Sequence, residues 1–238
     1  MTTISVIVPA FNEEAYIADC LQSIITHKTT NVIEVIVVDN ASTDATARIA
    51  AGFPGVRVVH EKAKGLCSAR QCGLQSAKGD LLAFIDADSR VTRKWFEDIE
   101  LHFTKNPKSV CMSGPYAFYD LPKNQRMLTD FYWWAVAYPI SLATGSVAIG
   151  GNMVMRRQAV ESIGGFDTSI TFYGEDSNIA RRLKKVGRVD FRPSFVNSSS
   201  ARRLKSLGMV KTGRIYAANF LSQVLLKKTV TTAHEDIR

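Results

Sequence analysis

Short apolar runs alternate with stretches of helical spacing along the first third of the chain. Ile4–Pro9 is a β-branched run, and in the Glu13–His27 stretch after it Ile17, Cys20, Leu21 and Ile24 fall on one helical face. A second run, Glu34–Asp39, precedes a short helix opened by Asp44 and ending near Gly52. A third, Val56–His60, precedes a helix over Leu66–Ala77, with Gly79 placed beyond it as a left-handed cap. Asp80–Asp86 is a fourth run. Strands that are apolar on both faces and separated by helices predict an α/β fold with a mainly parallel central sheet covered on both sides. Ligands of such sheets sit at the carboxyl ends of the strands. Asn12, Asp39 and Asp86 all fall at or just past those ends.

The pattern is less regular further on. Arg93–Asn106, Gln158–Ile163 and Asp176–Val186 read as helices, Val110–Tyr116 as a strand, and Leu204–Lys228 as a longer helical region interrupted at Gly208 or Gly213. Between them Phe131–Met155 carries no charge and includes the aromatic stretch Phe131–Tyr138. Its length would permit a membrane span. Pro139, Gly145, Gly150, Gly151 and scattered Ser, Thr and Asn argue instead for a substrate-facing or interfacial segment.

With 238 residues, 46% hydrophobic and 22% charged, the chain has the composition of one sizeable globular domain, not of a disordered one. No Pro/Ser/Gly-rich linker divides it. One main domain over 1–200, in halves over 1–90 and 91–200, is expected, followed by a basic helical extension over 201–238. Cys20, Cys67, Cys72 and Cys111 form no CxxC pair, which suits buried thiols in a reducing compartment. The N-terminal residues lack a basic stretch followed by a long apolar one, so they read as a strand and not as a signal peptide, and a cytoplasmic placement is expected.

The net charge of +8 is concentrated late in the chain: Phe191–His234 contains no Asp or Glu, but holds Arg192, Arg202, Arg203, Lys205, Lys211, Arg214, Lys227 and Lys228. Such asymmetry asks for an anionic partner, and peripheral contact with the inner face of a membrane through this basic region is one expectation. Ile215, Ala218, Leu221 and Leu225 form a stripe there that would face either the core or the lipid. A nucleic-acid partner would fit the charge but would explain none of the carboxylates.

Asp86-Ala87-Asp88 leaves the fourth strand at its open end, and two carboxylates there suit a hard divalent cation such as Mg²⁺ or Mn²⁺, completed by phosphate and water oxygens. An Asp-rich turn capping a helix would look the same in isolation. Taken in order, the blocks Val6–Glu14, Val35–Asp44, Lys64–Ser89, Gly150–Arg157, Gly164–Asp167 and Gly174–Leu183 resemble the family 2 glycosyltransferases of the GT-A fold, over roughly residues 3 to 205.

The resemblance implies transfer of a sugar, with inversion, from a UDP- or GDP-type nucleotide-diphosphate sugar to a carbohydrate or lipid-linked acceptor, with residues 1–200 as catalytic domain, 1–90 its nucleotide-binding half and 91–200 its acceptor-binding half. It makes Asp86–Asp88 the DxD motif, with Asp88 on the metal and Asp86 near ribose and metal. Asp39 and the loop Pro9, Ala10, Phe11, Asn12 and Glu13 would surround the nucleoside, Asn12 doubling as N-cap of a helix beginning at Glu13. Arg70 would lie near the nucleotide. Glu175 or Asp176, with Asp176 preferred, would be the general base.

Three departures from the family pattern stand out. Gln71 replaces the usual Asn, Asn40 replaces a second Asp, and both would bear on the donor base. A late metal-binding His is missing from Val196–Gly208, where Arg202 and Arg203 stand, and arginine forks would cap the diphosphate instead. The QxxRW signature of processive synthases is absent, which favours one sugar per encounter. A nucleotidyltransferase would need a glycine-rich basic loop where the acidic Pro9–Glu14 stands, and a dinucleotide dehydrogenase a GxGxxG. A catalytically silent sugar- or lipid-binding subunit would have no use for the retained Asp86–Asp88 and Glu175–Asp176.

Overall fold

The computed structural model describes residues 2–170 and 174–225. The early strands are β1 (Ile4–Ala10), β2 (Val32–Asp39), β3 (Val56–His60) and β4 (Leu81–Ile85); β6 (Ser109–Ser113), β8 (Asn152–Arg156) and β9 (Arg188–Phe191) complete one sheet in the order β3-β2-β1-β4-β8-β6-β9. β1, β2, β3 and β4 run parallel, and β8 is antiparallel to both β4 and β6. A smaller sheet joins β5 (Ser89–Arg90), β10 (Asn197–Ser199) and β7 (Tyr116–Phe118).

Period-two alternation divides the central strands between two cores. Val6, Val8, Val35, Val37, Ala83 and Ile85 face α1 (Ile17–His27), α2 (Thr46–Ala51) and α4 (Arg93–Lys105). Ile7, Ile36, Val38, Leu82 and Phe84 face α3 (Leu66–Ser76), α7 (Arg157–Ser162) and α8 (Glu175–Leu183). One-residue slippage would exchange the two sets, so the register is held from both sides. Cys20, Cys67 and Cys111 are buried free thiols within these cores.

Several expectations are corrected. Gly79 is not a left-handed cap: α3 ends on Ala77 in extended conformation. Gly79 is needed because a β-carbon there would stand 2.5 Å from the Ser5 backbone nitrogen. Asn12 is not an N-cap, since α1 begins only at Ile17; Asn12 has φ 53° and its side-chain oxygen accepts from the Thr43 amide at 2.8 Å. The strand expected over Val110–Tyr116 is broken at Gly114–Pro115 into β6 and β7.

The charge-free segment starts within a helical run, in which α5 (Lys123–Tyr132), a π-helical turn over Trp133–Ala137, and α6 (Tyr138–Thr144) follow without a break, and it ends in β8. The basic extension is α9 (Arg202–Leu207) and α10 (Met209–Leu225), parted at Gly208, whose φ of 79° stops the first helix. The buried side of α10 carries Thr212, Asn219 and Ser222, while of the stripe Ala218 is exposed and Ile215 half-buried. The side chains of Leu221 and Leu225, and the whole of Lys227, Lys228 and His234, lie outside the described residues. Among the described residues no helix is long and apolar enough to cross a membrane.

Candidate active site

β1, β2 and β4 end side by side, and their carboxyl ends deliver the site's acids. Asp39, the last residue of β2, accepts from the Ser42 amide at 3.3 Å and lies 3.0 Å from His60 Nδ1. Past Pro9 and Ala10 at the end of β1, the Phe11 ring lies under Lys64 Nζ at 5.2 Å. Glu13, nearly buried, accepts from Arg202 Nη2 at 2.5 Å. β4 ends at Ile85, Asp86 and Asp88 follow, and the buried Ala87 anchors the turn between them.

The smaller sheet explains how the late arginine reaches this place. β5 starts immediately after Asp88 and pairs antiparallel with β10, so Ser199 lies opposite Ser89. The chain leaving β10 therefore passes over Asp88: the Ser200 amide donates to its carbonyl and Ser199 Oγ to its carboxylate at 3.3 Å each. Arg202 then points back, with Nε 3.1 Å from Asp88 Oδ2 and its guanidinium 4.9 Å over the Tyr16 ring. Arg203 turns elsewhere and donates to the Tyr216 hydroxyl at 3.3 Å.

A second ionic chain lies on the other side of Asp86. Arg70, wholly buried on α3 and not a solvated helix charge, has Nη2 3.7 Å from Asp86 Oδ1 and Nη1 3.3 Å from Glu175 Oε1. Burial opposes its charge, but the Glu175 and Asp86 carboxylates outweigh that and hold its pKa up. Arg70 fits because Gly150 and Gly151 leave room. A β-carbon at Gly150 would stand 2.3 Å from Arg70 Nη2, and one at Gly151 1.9 Å from Asp86 Oδ2.

Tyr116, a residue that sequence reasoning missed, donates to Asp86 Oδ2 at 2.8 Å and accepts from the Gly151 amide at 3.1 Å. Asn152 belongs to the Gly150–Arg157 block. It is fully buried, accepts from Trp95 Nε1 at 2.8 Å, and donates to the carbonyls of Pro115 and Phe195.

Glu175 and Asp176 open α8. Burial pushes the Glu175 carboxyl well above the usual range, Asp176 adds to that, and Arg70 opposes it. Asp176 is also raised by burial and lowered by Arg70; its Oδ1 accepts from the Ser177 amide at 2.7 Å. Asp176 has no ion pair among the described residues.

Gln71 and Asn40 serve local structure. Gln71 Oε1 accepts from the Phe166 amide at 2.9 Å, tying α3 to the Gly164–Asp167 turn. Asn40 donates to the Glu61 and Ala63 carbonyls and accepts from the Gly65 amide, which holds the loop ahead of α3.

Burial raises the Asp88 carboxyl, Arg202 draws it down, and Asp86 and Glu13 push it up again. The cluster thus carries more negative charge than Arg202 alone relieves. Asp86 keeps its side chain 35% exposed, against 11% for Asp88. Among the described residues no group of three His, Cys, Asp or Glu could by itself enclose a metal. Two carboxylates without histidine fit a hard cation that completes its shell with water and phosphate oxygens.

The model of the family described as "Glycosyl transferase family 2" matches residues 5–164. The chain belongs to glycosyl transferase family 2. Among curated relatives, the uncharacterized glycosyltransferase EpsJ of Bacillus subtilis is 31% identical over 117 residues, 48% of this chain and 34% of EpsJ. Glycosyltransferase AglE of Haloferax volcanii is 27% identical over 192 residues, 77% of this chain and 62% of AglE. The chain thus spans about a third of the first relative and less than two thirds of the second.

Among solved structures, the mannosyltransferase PcManGT from Pyrobaculum calidifontis, in complex with GDP-Man and Mn²⁺, superposes with a TM-score of 0.71 at 24% identity, covering 95% of this chain and 64% of that one. Glucosyl-3-phosphoglycerate synthase from Mycobacterium tuberculosis, with Mn²⁺, UDP-glucose and phosphoglyceric acid, gives 0.67 at 24% identity over 94% of this chain and 80% of the other. The expected GT-A fold is therefore present.

Proposed function

We propose that this family 2 chain transfers one sugar from a UDP- or GDP-sugar to a hydroxyl of a carbohydrate or lipid-linked acceptor, with inversion at the anomeric carbon. The observation that carries the reading is the convergence of Asp39, Asp86 and Asp88 at adjoining strand ends with the buried Arg70–Glu175 pair beside them. Asp39 would accept from the base or ribose, and the Pro9–Glu13 loop would line the nucleoside. Mn²⁺ or Mg²⁺ held by Asp86 and Asp88 would supply Lewis-acid neutralisation of the leaving diphosphate.

The chain's own groups account for the remaining steps. The acceptor oxygen attacks the anomeric carbon, its proton passes to Asp176, and the bond from that carbon to the diphosphate oxygen breaks. Asp176 suits this role better than Glu175, because Glu175 is committed to Arg70. Arg202 would turn from Asp88 towards the departing phosphate. The sheet-end carboxylates support this reading over a silent binding subunit, which would not need them. Incubation with UDP-, GDP- and dTDP-sugars and Mn²⁺ tests it: nucleotide diphosphate should be released with one donor class and lost in Asp88→Ala. Release with none of them, or undiminished release in that variant, would refute it.

A further inference from the structure

The helical run from Lys123 to Thr144 is amphipathic in the inverted sense. Its protein-facing side presents Thr129, Ala137 and Ser141, all buried, beside the half-buried Trp133, whose ring lies 6.3 Å from that of Phe191. The hydroxyls of Thr129 and Ser141 bond back to the Arg126 and Tyr138 carbonyls of the same helix. Its outward side carries Met127, Leu128, Phe131, Trp134 and Leu142, exposed by 63%, 56%, 66%, 59% and 70%. A helix on a water-washed surface places these sets the other way round. Large apolar patches exposed together mark interaction surfaces, and these five side chains share one side of the run.

The surroundings say what covers this face. Trp134, Tyr138 and Leu142 form one wall of a groove of about 390 Å³ whose other wall holds Arg188 and Arg192. Asp190, in the same groove, is already paired with Arg188 at 2.7 Å and His102 at 3.2 Å. At the end of α6, Lys184 Nζ lies 2.5 Å from the Thr144 carbonyl. Asp130 is the single carboxylate of the run.

Apolar side chains, amphipathic Trp and Tyr rings and a border of cations together match the layers of an anionic membrane surface: acyl boundary, interface and headgroup phosphate. Residues 226–238 offer only Leu226, Val230 and Ile237 as large aliphatic side chains, too few to match the patch.

We propose that the outward face of Lys123–Thr144 docks on an anionic lipid bilayer, with Phe131, Trp134 and Leu142 entering the interface and Lys184 and Arg192 meeting headgroup phosphates. This site differs from the basic C-terminal helix to which the charge distribution alone points, and it does not rest on the transferase reading.

The test is flotation of the full chain with phosphatidylcholine vesicles, with and without phosphatidylglycerol. The chain should float with the anionic vesicles in low salt and be released by high salt. The double variant Phe131→Ser/Leu142→Glu should bind roughly ten-fold or more weakly, with its melting temperature unchanged. As a second measurement that does not depend on that variant folding, tryptophan emission should shift to the blue on adding anionic vesicles, and Trp134→Phe should remove most of the shift. No binding in low salt, equal binding by the double variant, or an unchanged shift in Trp134→Phe would overturn the proposal. So would a dimer in sedimentation equilibrium that the double variant turns into a monomer, because the face would then be an interface between copies.

Discussion

Arg202 Nε lies 3.1 Å from Asp88 Oδ2, so the carboxylate assigned to the metal already holds a cation supplied by its own chain. The same guanidinium bonds Glu13, and these two acids keep its charge in place against burial. On the proposed reading Arg202 would compete with a divalent ion for Asp88 before the donor binds, and would move onto the diphosphate afterwards.

Two opposite effects are expected from Arg202→Ala. Mn²⁺ should bind the donor-free protein several-fold tighter by titration calorimetry, because the competing charge is gone. The donor KM should rise roughly 10- to 100-fold, the worth of about 1.5–3 kcal/mol for hydrogen bonds to a charged group. Arg203→Ala, whose guanidinium meets Tyr216, should leave both within about two-fold. Equal effects of the two substitutions would remove Arg202's separate role.

The four early strands and the helices between them were legible because buried parallel strands are apolar on both faces and the helices carry one stripe each. Arg70 could not be read as buried from its neighbours, since its partners Asp86 and Glu175 come from elements far away in sequence. Arg202 reaches Asp88 only through the pairing of two-residue β5 with three-residue β10, pieces too short to show periodicity. Gln71 and Asn40 illustrate the converse. As departures from a family motif they pointed to donor choice, yet their polar atoms bond to backbone groups that hold loops. The part of Lys123–Thr144 from Phe131 onwards is visible as a charge-free run, but which side it buries is a tertiary fact.

Gly151→Ala tests the close approach at Asp86. Its β-carbon would occupy the place of the carboxylate, so Asp86 must swing away from Tyr116 and Arg70. Transfer should fall by roughly two orders of magnitude, since a misplacement of about 1 Å in a site can cost that much. The melting temperature, read by circular dichroism, should drop only modestly in comparison with Asn152→Ala. That second substitution strands Trp95 Nε1 and two buried carbonyls and should cost roughly 2–5 kcal/mol in denaturant unfolding.

If Asp176 or Glu175 is the base, as proposed, Arg70 would set the pH range of the site. It is the cation that lowers both Glu175 and Asp176, so its loss must raise their pKa values. A general base works only when ionised. The acid limb of kcat/KM should therefore move to higher pH in Arg70→Gln, with activity at low pH lost first. A limb that stays in place, with only the plateau lowered, would show that neither acid governs it.

Asp176 and Asp88 are separable by what each still does when neutralised. Asp176→Asn would remove the proposed proton acceptor but leave the strand-end carboxylates and Arg202 untouched, so donor binding by calorimetry should persist while kcat falls about 10²- to 10⁴-fold. Glu175→Gln should be milder in kcat, but should loosen Arg70 and lower the melting temperature, because a buried guanidinium loses a partner. Asp88→Asn should abolish the Mn²⁺ dependence of donor binding while leaving donor affinity in the absence of metal nearly unchanged. Were Glu175→Gln to abolish transfer with donor binding intact, and Asp176→Asn to retain it, the base would be Glu175 and the Arg70 pair would be its means of ionisation.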